Sequence, residues 1–275
     1  MRFTAGRARH ARRPVCHFSQ GDRPPFLPTA PPEGGRSADP QPIGVTVVKV
    51  YALIPKRPDI TDEFFHQHWI SPHGEMACGM APLQGYIQAH RIAPGVAGLT
   101  DSIYEGIATV WFVDEAAAGS MGEDPTYANH VGPDEKNFID LERLAFLFTN
   151  EHVQREEHAI TKDEPGTKVM LLLRRAAGLA PADFAAQVAG VDLAGAVPGA
   201  HRVSVAVATA SMYADGAEPV FDAIVELEFS TAADCDSAWS GAGSTVLGAL
   251  DGAIDASASA GFLSDELRLL WPVKS

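Results

Sequence analysis

The sequence predicts an α+β protein built as two ferredoxin-like β-α-β-β-α-β repeats forming an intramolecular α+β barrel. Three observations carry this. β-branched, apolar segments alternate with helix-like segments in that order. The order occurs twice. Landmarks of the second copy keep a constant offset, Lys168 standing 119 positions after Lys49 and Phe184 119 after Phe65. A ferredoxin-like sheet carries its helices on one face, so its bare face must be covered, and two such sheets meeting face to face enclose a barrel.

Taken in order, "VTVVKVYALIP" from Val45 is β-branched, closes at Pro55 and reads as a strand. "DITDEFFHQHWI" follows as a helix whose first-turn acids suit the positive end of its dipole. "LQGYIQAHRI" and "YEGIATVWFV" are the second and third strands, "DEAAAGSMG" opens the second helix, and "RLAFLFTNEHV" is the fourth strand. The second copy begins after a Pro-Gly connection in "DEPGTK". There "KVMLLLRRAAGLAPADF", "VPGAHRVSV", "FDAIVELEFSTAAD" and "FLSDELRLLWP" parallel the first copy segment by segment. "GAGSTVLGALDG" is glycine-rich without a phosphate-binding lysine and reads as a loop with a short helix. The expected domains are therefore 45–160, carrying the site, and 161–275, a degenerate repeat.

Residues 1–44 differ in kind. They hold seven arginines against Asp22, Glu33 and Asp39, are rich in Pro and Gly, and show no apolar periodicity, so a disordered extension is expected there. Its Arg-rich, acid-poor character suits a transit peptide, and an over-long start upstream of the first strand accounts for it equally well. The net charge of −14 lacks the basic footprint that a nucleic-acid partner requires. No run approaches the ~20 apolar residues of a membrane helix. Cys16, Cys78 and Cys235 show no pairable or metal-type spacing. A cytoplasmic protein, monomeric through its fused repeats or homodimeric, is expected.

"KVYALIPKRPDITDEFFHQHWISPHG", followed by "GYIQAHRI", "YEGIATVWF" and "PDEKNFID", resembles the EthD family of the dimeric α+β barrel superfamily. His68, Trp69, His73 and Gly74 match its His-Trp-x-x-x-His-Gly pattern, whereas the second copy has Val188 and Ala189 near the first two of these positions. The resemblance implies a cofactor-free isomerase, cyclase, dehydratase or other lyase acting on aromatic or lactone-like metabolites, housed in the first half. The heme branches of the superfamily are less similar, and a heme protein would declare itself by a Soret band.

Strand parity nominates the site. With apolar residues facing the helices, Lys49, Tyr51 and Leu53 turn into the barrel on the first strand, and Glu105, Ile107, Thr109 and Trp111 on the third. On the second strand Ile87 and Ala89 face the helices, so Tyr86, Gln88 and His90 point inward; in the second copy Asp222, Glu226 and Glu228 do so. His90 is the leading acid-base candidate, since an imidazole near pKa ~6.5 both takes and returns protons near neutrality. Tyr51 or Tyr86 would stabilise a developing oxyanion.

His73, at the bend that Pro72 imposes, and His68 are further catalytic candidates; alternatively each ring N–H caps a carbonyl and fixes the helix end. Trp69 reads as core packing beside Phe65, and Cys78 as a small buried apolar residue. His66, His68 and His73 form no i,i+4 pair, so no metal is expected. The expected function is a cofactor-independent lyase transferring protons on an aromatic or phenol-derived small molecule in the barrel cavity. Tyr86, Gln88, Trp111, Glu105, Thr109, Asp222 and Glu226 would bind the substrate. An isomerase or cyclase, or a carrier of a hydrophobic metabolite, uses the same features.

Overall fold

The structure, a computed structural model, describes residues 47–93, 95–157 and 166–271. The extension expected at 1–44 and part of the expected "DEPGTK" connection lie outside the described residues. The first repeat runs β1 (Val48–Ile54), α1 (Asp62–His68), α2 (Gly74–Ala77), β2 (Gly85–Ala93), the two-residue β3 (Thr100–Asp101), β4 (Gly106–Phe112), α3 (Glu115–Gly119), α4 (Gly132–Glu135) and β5 (Ala145–Glu156). The second runs β6 (Thr167–Leu173), α5 (Pro181–Gly190), α6 (Leu193–Ala196), β7 (Arg202–Ala208), β8 (Ala223–Phe229), α7 (Ala232–Ala249) and β9 (Ala260–Leu270).

The strands order as β2-β4-β1-β5 and then β7-β8-β6-β9, and a β2–β9 pairing joins the ends. Each repeat keeps the ferredoxin-like order. Its fourth strand pairs antiparallel with the second strand of the other repeat, at β5–β7 and at β2–β9. One chain thus closes an eight-stranded antiparallel barrel, and closure leaves its sheet without open edges.

Local sequence explains the helix that matters most. Thr61 caps α1, its hydroxyl accepting from the Phe64 N–H, and Asp62 and Glu63 occupy the first turn. Phe65 and Trp69, one turn apart, drive into the sheet and are fully buried. The helical run then loosens into a π turn, Trp69–His73, with Ser71 in an extended conformation before Pro72, and resumes at Gly74. In the second repeat "GAGSTVLGALDG" does not form the expected loop: α7 runs through it to Ala249. Gly243 lies against the Trp239 indole, where a Cβ would come within 2.8 Å, so packing overrides the low helix propensity of glycine.

The barrel interior is filled, which corrects the expectation of a cavity there. Toward one end Tyr51, Leu53, Ile107, Leu147, Met170 and Phe262 pack as an apolar core. Toward the other, Lys49, Lys168, Arg202 and Arg268 interleave with Glu151, Glu226, Glu228 and Glu266. Lys49–Glu226 and Lys168–Glu226 are both 2.5 Å, Arg202–Glu151 is 2.8 Å, and Arg268–Glu228 is 2.7 Å. The space among these charges, under Trp111 and Trp271, is about 20 Å³, room for one water.

Inward parity is as expected on β1 and β4 and reversed on β2. Ile87 lines the interior and Ala89 belongs to its core, while Tyr86, Gln88 and His90 lie under α1. Both faces of this sheet are buried, so polar alternation does not mark a barrel side. The polar residues face the side on which helix backbone and ring nitrogens satisfy them.

Candidate active site

A second, larger space with acid-base groups around it lies outside the barrel, between the first repeat's sheet and its helices. Ala52, Ile54, Ala108 and Val110 form its floor, and Trp69, Met80, Leu83, Met121 and Phe146 its walls. Into this apolar enclosure come His73, Tyr86, Tyr127 and Glu135. The open volume is about 60 Å³, well under the ~300 Å³ at which ligand pockets usually begin. An aromatic ring therefore needs wall movement to enter, which the flexible side chains of Met80 and Met121 allow.

The kink after α1 delivers His73. Its Nδ1 lies 3.0 Å from Asp134, which also takes His68 Nε2 at 3.0 Å and the Asn137 amide at 2.8 Å. Burial lowers the His73 pKa below its ordinary 6.5, and Asp134 only partly offsets that. The ring is neutral at pH 7, with Nδ1–H held by the carboxylate and Nε2 left to take a proton. Burial alone would raise Asp134; Asn137 and the two histidines outweigh it and hold the carboxyl below its usual range.

Glu135, next in the chain, is the opposite kind of carboxyl. Burial pushes it up to about 7, the Tyr127 hydroxyl that donates to it at 3.1 Å opposes this, and the Asp134 charge adds to it. It therefore exchanges a proton near neutrality. Tyr86 brings a phenol. Its oxygen accepts from the Trp69 indole N–H at 3.1 Å and from Gln88 Nε2 at 2.7 Å. Burial holds its pKa above 10, against the pull of those two donors.

Of the residues nominated from sequence, His73 and Tyr86 line this cavity. His68 stands behind His73 through Asp134, and Gln88 and His90 stand behind Tyr86. Glu105 binds Arg91 and lies 3.3 Å from His66, under α1 and away from the barrel centre. The others are elsewhere. Tyr51 donates to Glu226 at 2.5 Å in the barrel interior, where Thr109 and Trp111 also lie. Asp222, fully buried at the barrel end, is held by Arg174, Arg175 and Tyr213. Tyr51, Thr109, Trp111, Asp222 and Glu226 are thus not brought to the cavity, because the interior in which parity placed them is closed by apolar packing and by the ion pairs and hydrogen bonds of Glu226 and Asp222. Sequence reasoning did not single out Asp134, Glu135 and Tyr127, and weighed His66 only as a metal ligand. The first two stand in "PDEKNFID", and the one signal available was that segment's place in the family resemblance.

Fold and site together define an α+β barrel protein with a buried acid-base cavity in one half. Residues 57–142 match the family model of the EthD domain. No curated protein matches. The chain is similar to the solved structure of an anthrone oxidase-like protein, at 7% identity and a TM-score of 0.58 over 83% of this chain and 95% of that one. It is also similar to a monooxygenase candidate from Fusobacterium nucleatum, at 7% identity over 81% and 92%, TM-score 0.47. A chlorite dismutase variant from Candidatus Nitrospira defluvii matches at 8% identity over 80% and 91%, TM-score 0.41. At such identities the first of these speaks for the fold alone. Among the described residues no helix is long and apolar enough to cross a membrane.

Proposed function

We propose that the protein is a cofactor-independent lyase acting on a small aromatic or phenol-derived molecule by proton transfer in the cavity of its first repeat. One observation carries this: a neutral His73 backed by Asp134, a carboxyl at Glu135 titrating near 7, and the Tyr86 phenol line the same apolar space. Proton abstraction and elimination need a base, a group that stabilises the resulting oxyanion, and an acid for the leaving group. In this reading His73 Nε2 takes the proton from carbon. Tyr86 O–H bonds the oxygen on which charge develops, and protonated Glu135 returns a proton to the departing group. If the proton returns instead to another carbon, the same groups perform an isomerisation.

The test is thermal-shift screening against phenolic and lactone metabolites, followed by turnover assays on each compound that stabilises the protein. A phenolic compound is expected to bind and be consumed. His73→Asn is expected to retain the fold and lower kcat by about 10²–10⁴-fold, the usual contribution of one general base. Stabilisation without turnover by every bound compound would make the protein a carrier and sink the enzymatic reading.

A further inference from the structure

His66 and His90 have no part in the chemistry above, yet their contacts leave little freedom for their protons. Gln88 Nε2 lies 2.8 Å from the Trp69 carbonyl, which can only accept, so the Gln88 amide is oriented with Oε1 toward His90. His90 Nε2, 3.0 Å from that Oε1, must then donate. His90 is fully enough buried, and close enough to His66, that its pKa falls to about 3, so it is neutral and its Nδ1 is an acceptor. His66 Nδ1 at 2.9 Å must therefore donate to it. His66 Nε2 faces the Glu105 carboxylate at 3.3 Å, and a carboxylate also needs a donor. Burial would raise Glu105, but His66 and Arg91 outweigh it and keep it ionised. Both nitrogens of His66 thus face acceptors, His90 Nδ1 on one side and the Glu105 carboxylate on the other.

Every hydrogen bond then points one way, from His66 through His90 and Gln88 to the Tyr86 oxygen. That oxygen accepts from Gln88 and from Trp69. Among the described residues no acceptor takes the phenol's own proton, so that proton is what Tyr86 presents to the cavity it lines. The Trp69 ring that completes the arrangement lies over Gly106, where a Cβ would come within 2.3 Å of it, and its centroid is 4.4 Å from that of His90.

We propose that His66, His90 and Gln88 are positioning residues which lock Tyr86 as a hydrogen-bond donor to the cavity, with the His66 imidazolium polarising the chain so that Tyr86 better supports negative charge on a bound phenolic or enolic oxygen. This rests on the proposed function only for the identity of the ligand. Chains of hydrogen bonds polarise one another in a low-dielectric interior, and the cation at the far end favours anionic character at the near one. No proton travels the chain, because the Gln88 amide transmits orientation and polarisation without changing its own protonation.

Nuclear magnetic resonance of the full chain, labelled with ¹⁵N-histidine and with ¹³Cζ-tyrosine, tests this without a substrate. At pH 7 both His66 nitrogens are expected to be protonated and His90 to carry its proton on Nε2 alone. The Tyr86 Cζ resonance, identified with Tyr86→Phe, is expected to move in His66→Gln and in Gln88→Leu, each checked for an intact thermal transition. A neutral His66, a His90 protonated on Nδ1, or a Tyr86 resonance unmoved in folded His66→Gln would each overturn the proposal. Titrating 4-nitrophenol into the same sample addresses the ligand separately. Failure to bind it, with the histidine and tyrosine signals as expected, removes the phenolic reading and leaves the chain standing.

Discussion

Compared row by row across their outer sheet faces, the two repeats show how one fold is made either solid or hollow. In the first, Tyr86 pairs with Val110 and Val110 with Val50; in the second, the matching row is Val203, Leu227 and Val169. The next rows are Gln88, Ala108, Ala52 against Val205, Val225, Leu171, and then His90, Gly106, Ile54 against Val207, Ala223, Leu173. The second repeat fills its rows with aliphatic residues that pack against Phe184, Val188 and Trp239 in one core. The first replaces three of them by hydrogen-bonding side chains and keeps Ala52, Ala108 and Gly106 small. Ala52 and Ala108 leave room for the cavity, Gly106 makes room for the Trp69 ring, and of the three polar residues Tyr86 reaches the cavity with Gln88 and His90 behind it. The second repeat meanwhile supplies Glu226 and Glu228 at the positions where the first has Thr109 and Trp111, and so holds the barrel shut.

The largest effect is expected where the two halves meet. Glu226→Leu removes the carboxylate shared by Lys49, Lys168 and the Tyr51 hydroxyl and leaves buried cations short of a counter-charge. Breaking a buried pair from one side typically costs about 3–5 kcal/mol, and urea unfolding should show a loss of that order. Acid should act on the same network. Burial opposes ionisation of Glu226 and Glu151, but the surrounding Lys and Arg side chains win, holding Glu226 well below the ordinary carboxylate range and Glu151 at about 2. Their folded values lie below the unfolded ~4.3, so their stabilisation is complete above that pH and is lost as pH falls toward 2. A melting temperature flat between pH 4 and 2 would show that these charges do not hold the barrel.

One pair of equivalent positions should respond with different magnitudes. Leu171→Ala opens a void in a filled core, for which about 2–5 kcal/mol of lost stability is usual. Ala52→Leu, at the matching place in the first repeat, projects into the cavity and should cost under about 1 kcal/mol while abolishing ligand-induced thermal shifts. Comparable losses of stability from both substitutions would mean that the first repeat is as tightly packed as the second and that the contrast is false.

The pattern of strands and helices, the duplication and the inward faces of β1 and β4 were legible in the sequence because each is a local periodicity. The orientation of β2 was not, since Tyr86, Gln88 and His90 read as polar among apolar neighbours and the usual inference assigns such residues to a wetter side. Here both sides are dry, and the deciding partner is the Trp69 carbonyl, which accepts from Gln88 Nε2 as well as from the Gly74 N–H that closes the π turn. His73 was nominated from its bend at Pro72, but its partner Asp134 lies 61 positions away, and no spacing rule connects the two. The continuous α7 differs from the expected loop for a related reason: Gly243 makes room for Trp239, a contact invisible to propensity.

The prediction that sharpens the comparison furthest concerns the sign of a pH dependence. Glu151 and Glu226 in the barrel are pulled below the ordinary range, whereas Glu135 in the cavity is pushed up to about 7, burial being the main cause. A carboxyl whose folded pKa exceeds its unfolded ~4.3 binds its proton more tightly when folded, so its contribution falls as pH rises from about 4.3 to 7. Glu135→Gln removes that dependence. At pH 8 the variant should be more stable than the parent by about 1–2 kcal/mol, allowing for partial solvent screening, and at pH 4 the two should match. If ligand binding tightens as the parent is titrated below pH 7 but does not change in Glu135→Gln, the same carboxyl governs both stability and occupancy. The cavity would then be shown to give up stability for a titratable group that the aliphatic core of the second repeat does without.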